Sequence, residues 1–167
     1  MTKPLVGIVM GSDSDLPVLE NTIKVLKDFG VPYETSVLSA HRAPQLVSEY
    51  GARAAQRGLK VLIAAAGGAA HLAGALAANT LLPVIGIPIN ATDLQGLDAL
   101  LSTVQMPPGV PVATVAVGKF GAVNAGVLAV QILALGDKDL REKLKAYKMT
   151  MHKKVQEANA KLKSSHG

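Results

Sequence analysis

The chain has no cysteine and no tryptophan, and aromatic residues make up only 3% of its 167 positions. Without cysteine, the protein cannot form disulfides, thiolate metal sites or a cysteine nucleophile. Proteins that bind single-stranded nucleic acids often stack bases on aromatic side chains, which are scarce here. These absences direct attention to chemistry carried by histidine, arginine, hydroxyl and carboxylate groups.

Targeting and membrane signals are also missing. The N-terminus has no basic segment followed by an apolar core and a cleavage site, which predicts that there is no signal peptide. The flattest apolar run, residues 61–78, consists mainly of alanine and glycine and contains His71, so we do not interpret it as a membrane span. We therefore expect a cytoplasmic protein with no membrane partner.

The net charge of +5 comes from one end of the chain. Residues 1–136 carry eight Lys/Arg and eight Asp/Glu, whereas residues 137–167 carry nine basic and four acidic groups. A charge run of this kind is typical of a solvated helix, whereas nucleic-acid binding needs a basic face on the fold. We expect no nucleic-acid partner.

Strand-like apolar runs alternate with segments of helical periodicity. The predicted strands cover residues 4–10, 31–38, 60–66, 83–87 and 112–117, with Pro88 closing the fourth. The predicted helices begin near residues 16, 44, 69, 92, 120 and 137. Strict alternation with short connections predicts an α/β fold, a three-layer flavodoxin-like parallel sheet of about five strands with helices on both faces. We expect one domain over residues 1–167, in which residues 137–167 form a C-terminal helix that frays from Lys163.

The predicted helix over residues 120–135 is apolar almost all round, with Asn124 and Gln131 as the main exceptions. A helix that is apolar on every side has to be covered on every side. In a domain of this size, a neighbouring subunit is the expected cover, which predicts a homo-oligomer.

Three unusual segments each follow a predicted strand. Loops at the carboxyl ends of adjacent parallel strands converge on one crevice, so we expect these segments to form one site. They are Gly11-Ser12-Asp13-Ser14-Asp15, Ser39-Ala40-His41-Arg42 and Gly67-Gly68-Ala69-Ala70-His71-Leu72.

The first segment has the features of an anion site. Gly11 allows close backbone approach, Ser12 and Ser14 offer hydroxyls, and the helix that follows presents unpaired amides. Asp15 either caps that helix or accepts hydrogen bonds from sugar hydroxyls, and Ser14 and Asp15 acting only as caps remains an alternative. Arg42, in the second segment, is placed to reach a phosphate held by the first.

The remaining residues suit proton transfer beside a small molecule. Histidine carries a proton in both directions near neutrality, which makes His41 the candidate acid and base. Gly67, Gly68 and Ala69 predict a tight apolar recess that would suit a flat ring. His71 either titrates or serves as a structural hydrogen-bonding residue. A surface pair ahead of a helix is the alternative for His41 and Arg42.

Several common site motifs are absent. There is no Gly-x-Ser-x-Gly elbow, no Gly-x-x-x-x-Gly-Lys-Ser/Thr loop and no Gly-x-Gly-x-x-Gly opening the first helix. A serine hydrolase, ATP hydrolysis and dinucleotide use are therefore disfavoured. His41, His71 and the nearby aspartates match no metal-binding spacing, so we expect no metal.

In these segments the sequence strongly resembles the class I 5-(carboxyamino)imidazole ribonucleotide mutases of purine biosynthesis. The resemblance covers about residues 5–150 and includes residues 9–12, 39–42 and 67–72, Pro83-Val84, and residues 104–107. Two departures are visible: Ala65 stands where we expect glycine, and Ala73 where we expect proline. Both concern the fine shape of the pocket. The related carboxylases that use free carbon dioxide carry lysine after the histidine and lack the Gly-Gly-Ala-Ala-His run.

The resemblance implies a carboxylate transfer from the exocyclic nitrogen to ring carbon 4 of an aminoimidazole ribonucleotide. It implies no ATP, metal or organic cofactor, and an octamer with sites near subunit contacts. It gives His41 the role of proton carrier and Ser12, Asp15 and Arg42 roles in substrate binding. The expected binding set also includes Gly11, Ser14, Ser39, Ala40, Gly67, Gly68, Ala69, His71 and Leu72. A carboxylase using free carbon dioxide and a non-catalytic nucleotide-binding module remain as alternatives.

Overall fold

The computed structural model describes the backbone of residues 3–166 and the side chains of residues 3–164. Its centre is one sheet of five parallel strands in the order β2-β1-β3-β4-β5. The strands are β1 (Val6–Met10), β2 (Tyr33–Val37), β3 (Val61–Gly67), β4 (Val84–Ile89) and β5 (Ala113–Thr114). This is the flavodoxin-like strand order, which confirms the predicted fold class.

Within residues 3–166, six α-helices accompany the sheet. They are α1 (Leu16–Phe29), α2 (Pro44–Ala54), α3 (Leu72–Ala77), α4 (Leu97–Val104), α5 (Gly118–Leu133) and α6 (Lys138–His166), and a short 3-10 turn (Asp13–Asp15) precedes α1. No helix within residues 3–166 has both the length and the hydropathy needed to cross a membrane.

The core lies in two layers, one on each face of the sheet. Ile8 and Ile63 pack with α1, α5 and the start of α6 on one face, whereas Val9 and Leu62 pack with α2 and α3 on the other. Every residue of β1 and β4 is buried. Burial on both faces explains why these strands are apolar without alternation.

Strand β4 continues past the predicted end at Ile87, and Pro88 lies within it, paired with Ala66. The prediction that Pro88 closes the strand was wrong. Gly86 accepts a hydrogen bond from the N–H of Val115, so it faces the edge of the sheet where β5 lies. Pro88 lies two residues after Gly86, so its backbone nitrogen points toward the same edge of the sheet. Because β5 does not extend that far, the missing N–H of proline removes no hydrogen bond between strands.

Other boundaries are shorter than predicted. Strand β5 has two residues, and α3 starts only at Leu72, after a loop at residues 68–71. Helix α4 begins after Gly96, later than the predicted start near residue 92. The Thr92 hydroxyl donates to the Asp98 carboxylate and accepts the N–H of Leu94 in the turn that precedes the helix.

Helix α5 is partly covered within the chain, which buries six of its sixteen residues. It packs closely on α1, where the Thr22 hydroxyl donates to the Ala122 carbonyl over 2.7 Å, and α6 packs beside it. Val123, Val127 and Leu128 are only partly buried, so cover of α5 by a neighbouring subunit stays a prediction. Helix α6 continues to His166, past the point at which the sequence predicted fraying, and Gly167 lies outside the described residues.

Candidate active site

One cavity of about 420 Å³ opens at the carboxyl ends of the strands. All thirteen residues predicted from the sequence line it: Gly11, Ser12, Ser14, Asp15, Ser39, Ala40, His41, Arg42, Gly67, Gly68, Ala69, His71 and Leu72. Three further residues complete the lining, Ala66, Ala91 and Thr92. Ala91 and Thr92 follow β4, so the convergence of strand ends is the signal that could have found them.

The first segment folds into a tight turn held by its own side chains. The Ser12 hydroxyl accepts the N–H of Ser14 over 3.3 Å, and the Asp15 carboxylate accepts the N–H of Ser12 over 3.3 Å. Asp15 and Ser12 thus form a capping box around the 3-10 turn. Ser12, and not Ser14, is therefore the capping residue of this turn, and the Asp15 side chain makes no capping hydrogen bond to α1. All three residues lie on the cavity wall.

Asp15 is 6% exposed, and its burial raises the pKa of the carboxyl. The hydrogen bond from Ser12 lowers this pKa, and the nearby Asp13 raises it. Burial has the largest effect, so the folded protein binds a proton at Asp15 more readily than the unfolded chain does. A buried carboxylate that is disfavoured in this way reduces stability at neutral pH.

Replacing Asp15 with asparagine is expected to change how stability depends on pH. A carboxyl whose pKa is raised on folding contributes stability below its pKa in the unfolded chain, 3.8. This contribution is lost as the pH rises through the pKa that the group has in the folded protein. Asp15→Asn removes this loss. The melting temperature of Asp15→Asn minus that of wild type should therefore increase from pH 3.5 to pH 7. The exposed Asp93, on the loop after β4, provides a control, Asp93→Asn, because Asp13 itself affects the pKa of Asp15. A gap between wild type and Asp15→Asn that does not change with pH would contradict the assignment.

Arg42 joins the first two loops. Its Nη2 group donates to the Gly11 carbonyl over 2.9 Å, and its Nε donates to the Ser39 hydroxyl over 3.2 Å. The Arg42 backbone N–H binds the same hydroxyl over 3.2 Å. The side chain thus reaches the first loop, as the sequence predicted. Its Nη1 group stays available for an anion, because the guanidinium has five N–H donors in a fixed fork.

His41 and His71 form a direct pair that the sequence analysis did not predict. His41 Nε2 lies 2.8 Å from His71 Nδ1, with the two rings edge to face. A hydrogen bond at this distance needs one nitrogen protonated and the other unprotonated. The pair thus holds a single proton between the rings. Both residues follow strands that flank β1, which is the signal that could have paired them.

The third loop leaves no room for larger side chains. A Cβ on Gly67 would lie 2.5 Å from the Cβ of Ala91, and Gly68 has φ +61°, which favours glycine. The two departures from the family pattern, Ala65 and Ala73, are buried and do not line the cavity. They lie behind the recess.

No group of three or more His, Asp or Glu side chains within the described residues could hold a metal ion. The imidazole pair therefore has no third ligand of the usual kind beside it.

Comparisons with known proteins agree with this geometry. Residues 5–154 match the AIR carboxylase family. The chain is 54% identical over 160 residues to the N5-carboxyaminoimidazole ribonucleotide mutase of Pyrococcus horikoshii, covering 96% of this chain and 89% of that protein. It is 57% identical over 142 residues to the mutase of the same name from Bacillus subtilis, covering 85% and 88%.

Two further relatives extend the comparison. The phosphoribosylaminoimidazole carboxylase of Saccharomyces cerevisiae is 52% identical over 155 residues, which cover 93% of this chain but 27% of that protein. The crystal structure of Treponema denticola PurE has a TM-score of 0.83 at 31% identity, covering 95% and 98% of the two chains. Because the matches span nearly all of the sequence and the fold agrees with them, the chain belongs to the AIR carboxylase family.

Proposed function

We propose that the protein converts N5-carboxyaminoimidazole ribonucleotide to 4-carboxy-5-aminoimidazole ribonucleotide, without a cofactor, as a step of purine biosynthesis in the cytoplasm. Residues 1–167 would act as one mutase domain. The observation that carries the proposal is the His41–His71 pair, which shares one cavity with Arg42 and the small-residue recess. The names of the similar proteins from Pyrococcus and Bacillus support the same reaction.

The substrate phosphate would bind between the first two loops. Arg42 already lies against Gly11, and the Ser12 and Ser14 hydroxyls line the same wall. Charge-assisted hydrogen bonds from a guanidinium suit a phosphate group. Asp15 would accept hydrogen bonds from the ribose hydroxyls. Gly67, Gly68, Ala69 and their neighbours would then surround the imidazole base.

The reaction would proceed through carbon dioxide held in the recess. The bond between the exocyclic nitrogen and the carboxylate carbon breaks, its electron pair stays on nitrogen, and His41 supplies a proton to that nitrogen. Ring carbon 4 then attacks the carbon dioxide, and His41 removes the proton from carbon 4. His41 thus gives up one proton and recovers one in each turnover. Proton transfer of this kind accelerates a reaction roughly 10²–10⁴-fold.

His71 would orient the imidazole of His41. Their 2.8 Å contact fixes one ring nitrogen of His41, which leaves the other free to face the substrate. In this proposal His71 is the structural hydrogen-bonding residue of the two alternatives that the sequence leaves open.

The direct test is to incubate the purified protein with each candidate substrate in the absence of ATP and added metal. The carboxyamino nucleotide alone should give the carboxylated imidazole. Product from aminoimidazole ribonucleotide and bicarbonate alone would support a carboxylase that uses free carbon dioxide. Binding with no turnover and no proton exchange at ring carbon 4 would support a nucleotide-binding module.

We also propose that the protein forms a homo-oligomer of eight copies, the number that the family resemblance implies. Support comes from Leu97, Leu101 and Val104 on α4, which are about half exposed and lie on one side of that helix. Phe120, at the start of α5, is 78% exposed. Apolar side chains clustered at a surface mark contact sites.

Light scattering at micromolar concentration is expected to give eight times the chain mass of 17.2 kDa. Replacing Leu101 with aspartate should shift the mass to smaller species, because a charge would be buried at the contact. A monomeric mass for the unmodified protein would contradict this proposal.

A further inference from the structure

We propose that Ser102, on α4, is a positioning residue that holds the loop at residues 68–71 and thereby retains carbon dioxide at the reaction site. Ser102 does not line the cavity, and nothing in its sequence context marks it as functional. The inference rests on the proposed function, since it assigns a role within that reaction.

Ser102 joins α4 to the loop through both functions of its hydroxyl. The hydroxyl accepts the N–H of Ala70 over 2.9 Å and donates to the Asp98 carbonyl over 2.7 Å. A serine hydroxyl has one proton and two lone pairs, so it can make both bonds at once. The carbonyls of Ala99 and Gly68 lie farther away, at 3.3 and 3.4 Å.

The N–H of Ala70 depends on this contact. Ala70 is 2% exposed, so water has little access to its backbone, and a buried N–H without a partner is costly. The neighbouring Thr103 gives little compensation, because its hydroxyl donates to the Ala99 carbonyl over 2.7 Å and lies 3.4 Å from the Ala70 carbonyl.

Ala70 directly precedes His71, so the Ser102 contact bears on the imidazole pair. The N–H of His71 donates to the Ala69 carbonyl over 2.8 Å, which holds a tight turn at Ala70. Helix α3 starts immediately after His71. Movement of Ala70 would therefore shift the His71 ring, and the 2.8 Å contact with His41 tolerates only small changes. The same movement would open the wall made by Gly67 and Gly68.

Two consequences would follow from loss of the hydroxyl. His41 would lose its fixed orientation, which slows the proton transfers. Carbon dioxide would escape more often before ring carbon 4 attacks it, so dissolved carbon dioxide would enter the product in its place. The second effect distinguishes a positioning role from a general loss of stability.

The test uses Ser102→Ala, Ser102→Thr and the control Ser48→Ala. Ser48 is also half-buried, but its hydroxyl donates to Asn79 between α2 and α3, away from the loop. Each protein converts unlabelled carboxyamino nucleotide in buffer with ¹³C-bicarbonate, and the ¹³C in the product carboxylate is measured by mass spectrometry. Ser102→Ala should lower kcat on the order of 10- to 100-fold, with KM nearly unchanged, and raise ¹³C incorporation several-fold. Ser102→Thr should restore both values, and Ser48→Ala should match wild type.

A crystal structure of each variant gives a second measurement that needs no activity. The separation of His41 Nε2 and His71 Nδ1 should exceed a hydrogen-bond distance in Ser102→Ala and stay near 2.8 Å in Ser48→Ala. If Ser102→Ala does not fold, Ser102→Cys keeps the size with a weak hydrogen-bonding group and should show the same two changes.

Wild-type kcat, ¹³C incorporation and imidazole separation in these variants would overturn the proposal. A wild-type protein that makes no product would refute the proposed function instead, and the imidazole separation would still decide whether Ser102 positions the loop.

Discussion

Replacing His41 with asparagine is expected to leave the protein folded and able to bind nucleotide, while conversion falls below about 1% of wild type. Asparagine can still form a hydrogen bond with His71, but it cannot carry a proton to the exocyclic nitrogen or take one from ring carbon 4. In the proposed mechanism both proton transfers use the His41 imidazole, so its loss should slow both. Steady-state turnover of the carboxyamino nucleotide, together with nucleotide affinity by calorimetry, measures the two effects separately.

The matched control is His152→Asn, because His152 is exposed on the distal part of α6. This variant should retain wild-type turnover. Turnover of His41→Asn within tenfold of wild type would remove His41 from the role of proton carrier, and an equal loss in both variants would point to a general effect.

Replacing Arg42 with alanine is expected to weaken nucleotide binding about 10- to 150-fold, the effect of losing one charge-assisted hydrogen bond of about 1.5–3 kcal/mol. The loss should appear as a higher dissociation constant in calorimetry with the product nucleotide. The dissociation constant of Arg42→Lys should lie between those of wild type and Arg42→Ala, because lysine keeps the charge but lacks the planar guanidinium.

The control for this experiment changes the ligand as well as the protein. A nucleoside that lacks the 5′-phosphate should bind wild type and Arg42→Ala equally, since the lost contact is to the phosphate. Arg53→Ala, at an exposed position on α2, should bind the nucleotide as wild type does. Unchanged nucleotide affinity in Arg42→Ala, or the same loss for the nucleoside, would contradict the phosphate assignment.

The fold class could be predicted because a strand that is buried on both faces has a continuously apolar sequence. The strand at Val6–Met10 is apolar throughout, and α1 begins at Leu16 as predicted. The errors concern boundaries that depend on tertiary context. Pro88 stays within a strand because β5 is too short to pair with it, a fact that local sequence does not contain.

The candidate site was predictable to the extent that it follows from topology. Loops at the carboxyl ends of parallel strands had to converge, and the cavity brings together all thirteen predicted residues. The roles assigned to these residues remain predictions. Contacts between side chains from different loops were not predictable, because the His41–His71 distance depends on how two loops pack.

Ser102 illustrates a second limit. A serine within a short helix is ordinary in sequence, and only the folded chain places its hydroxyl against the N–H of Ala70. Likewise, the apolar character of α5 indicated burial on every side, whereas α1, the sheet and α6 together bury only six of its sixteen residues. Apolar periodicity shows that a surface is buried, but the folded structure is needed to show which element buries it.

The most direct test of the account is a crystal structure of the protein with the carboxylated imidazole nucleotide bound. The account predicts the phosphate against Arg42 and Ser12, the base inside the recess beside Gly67, and a ring nitrogen of His41 within about 3.5 Å of ring carbon 4 or the exocyclic nitrogen. A base that lies outside the recess, with the His41 ring turned to bulk solvent, would contradict it.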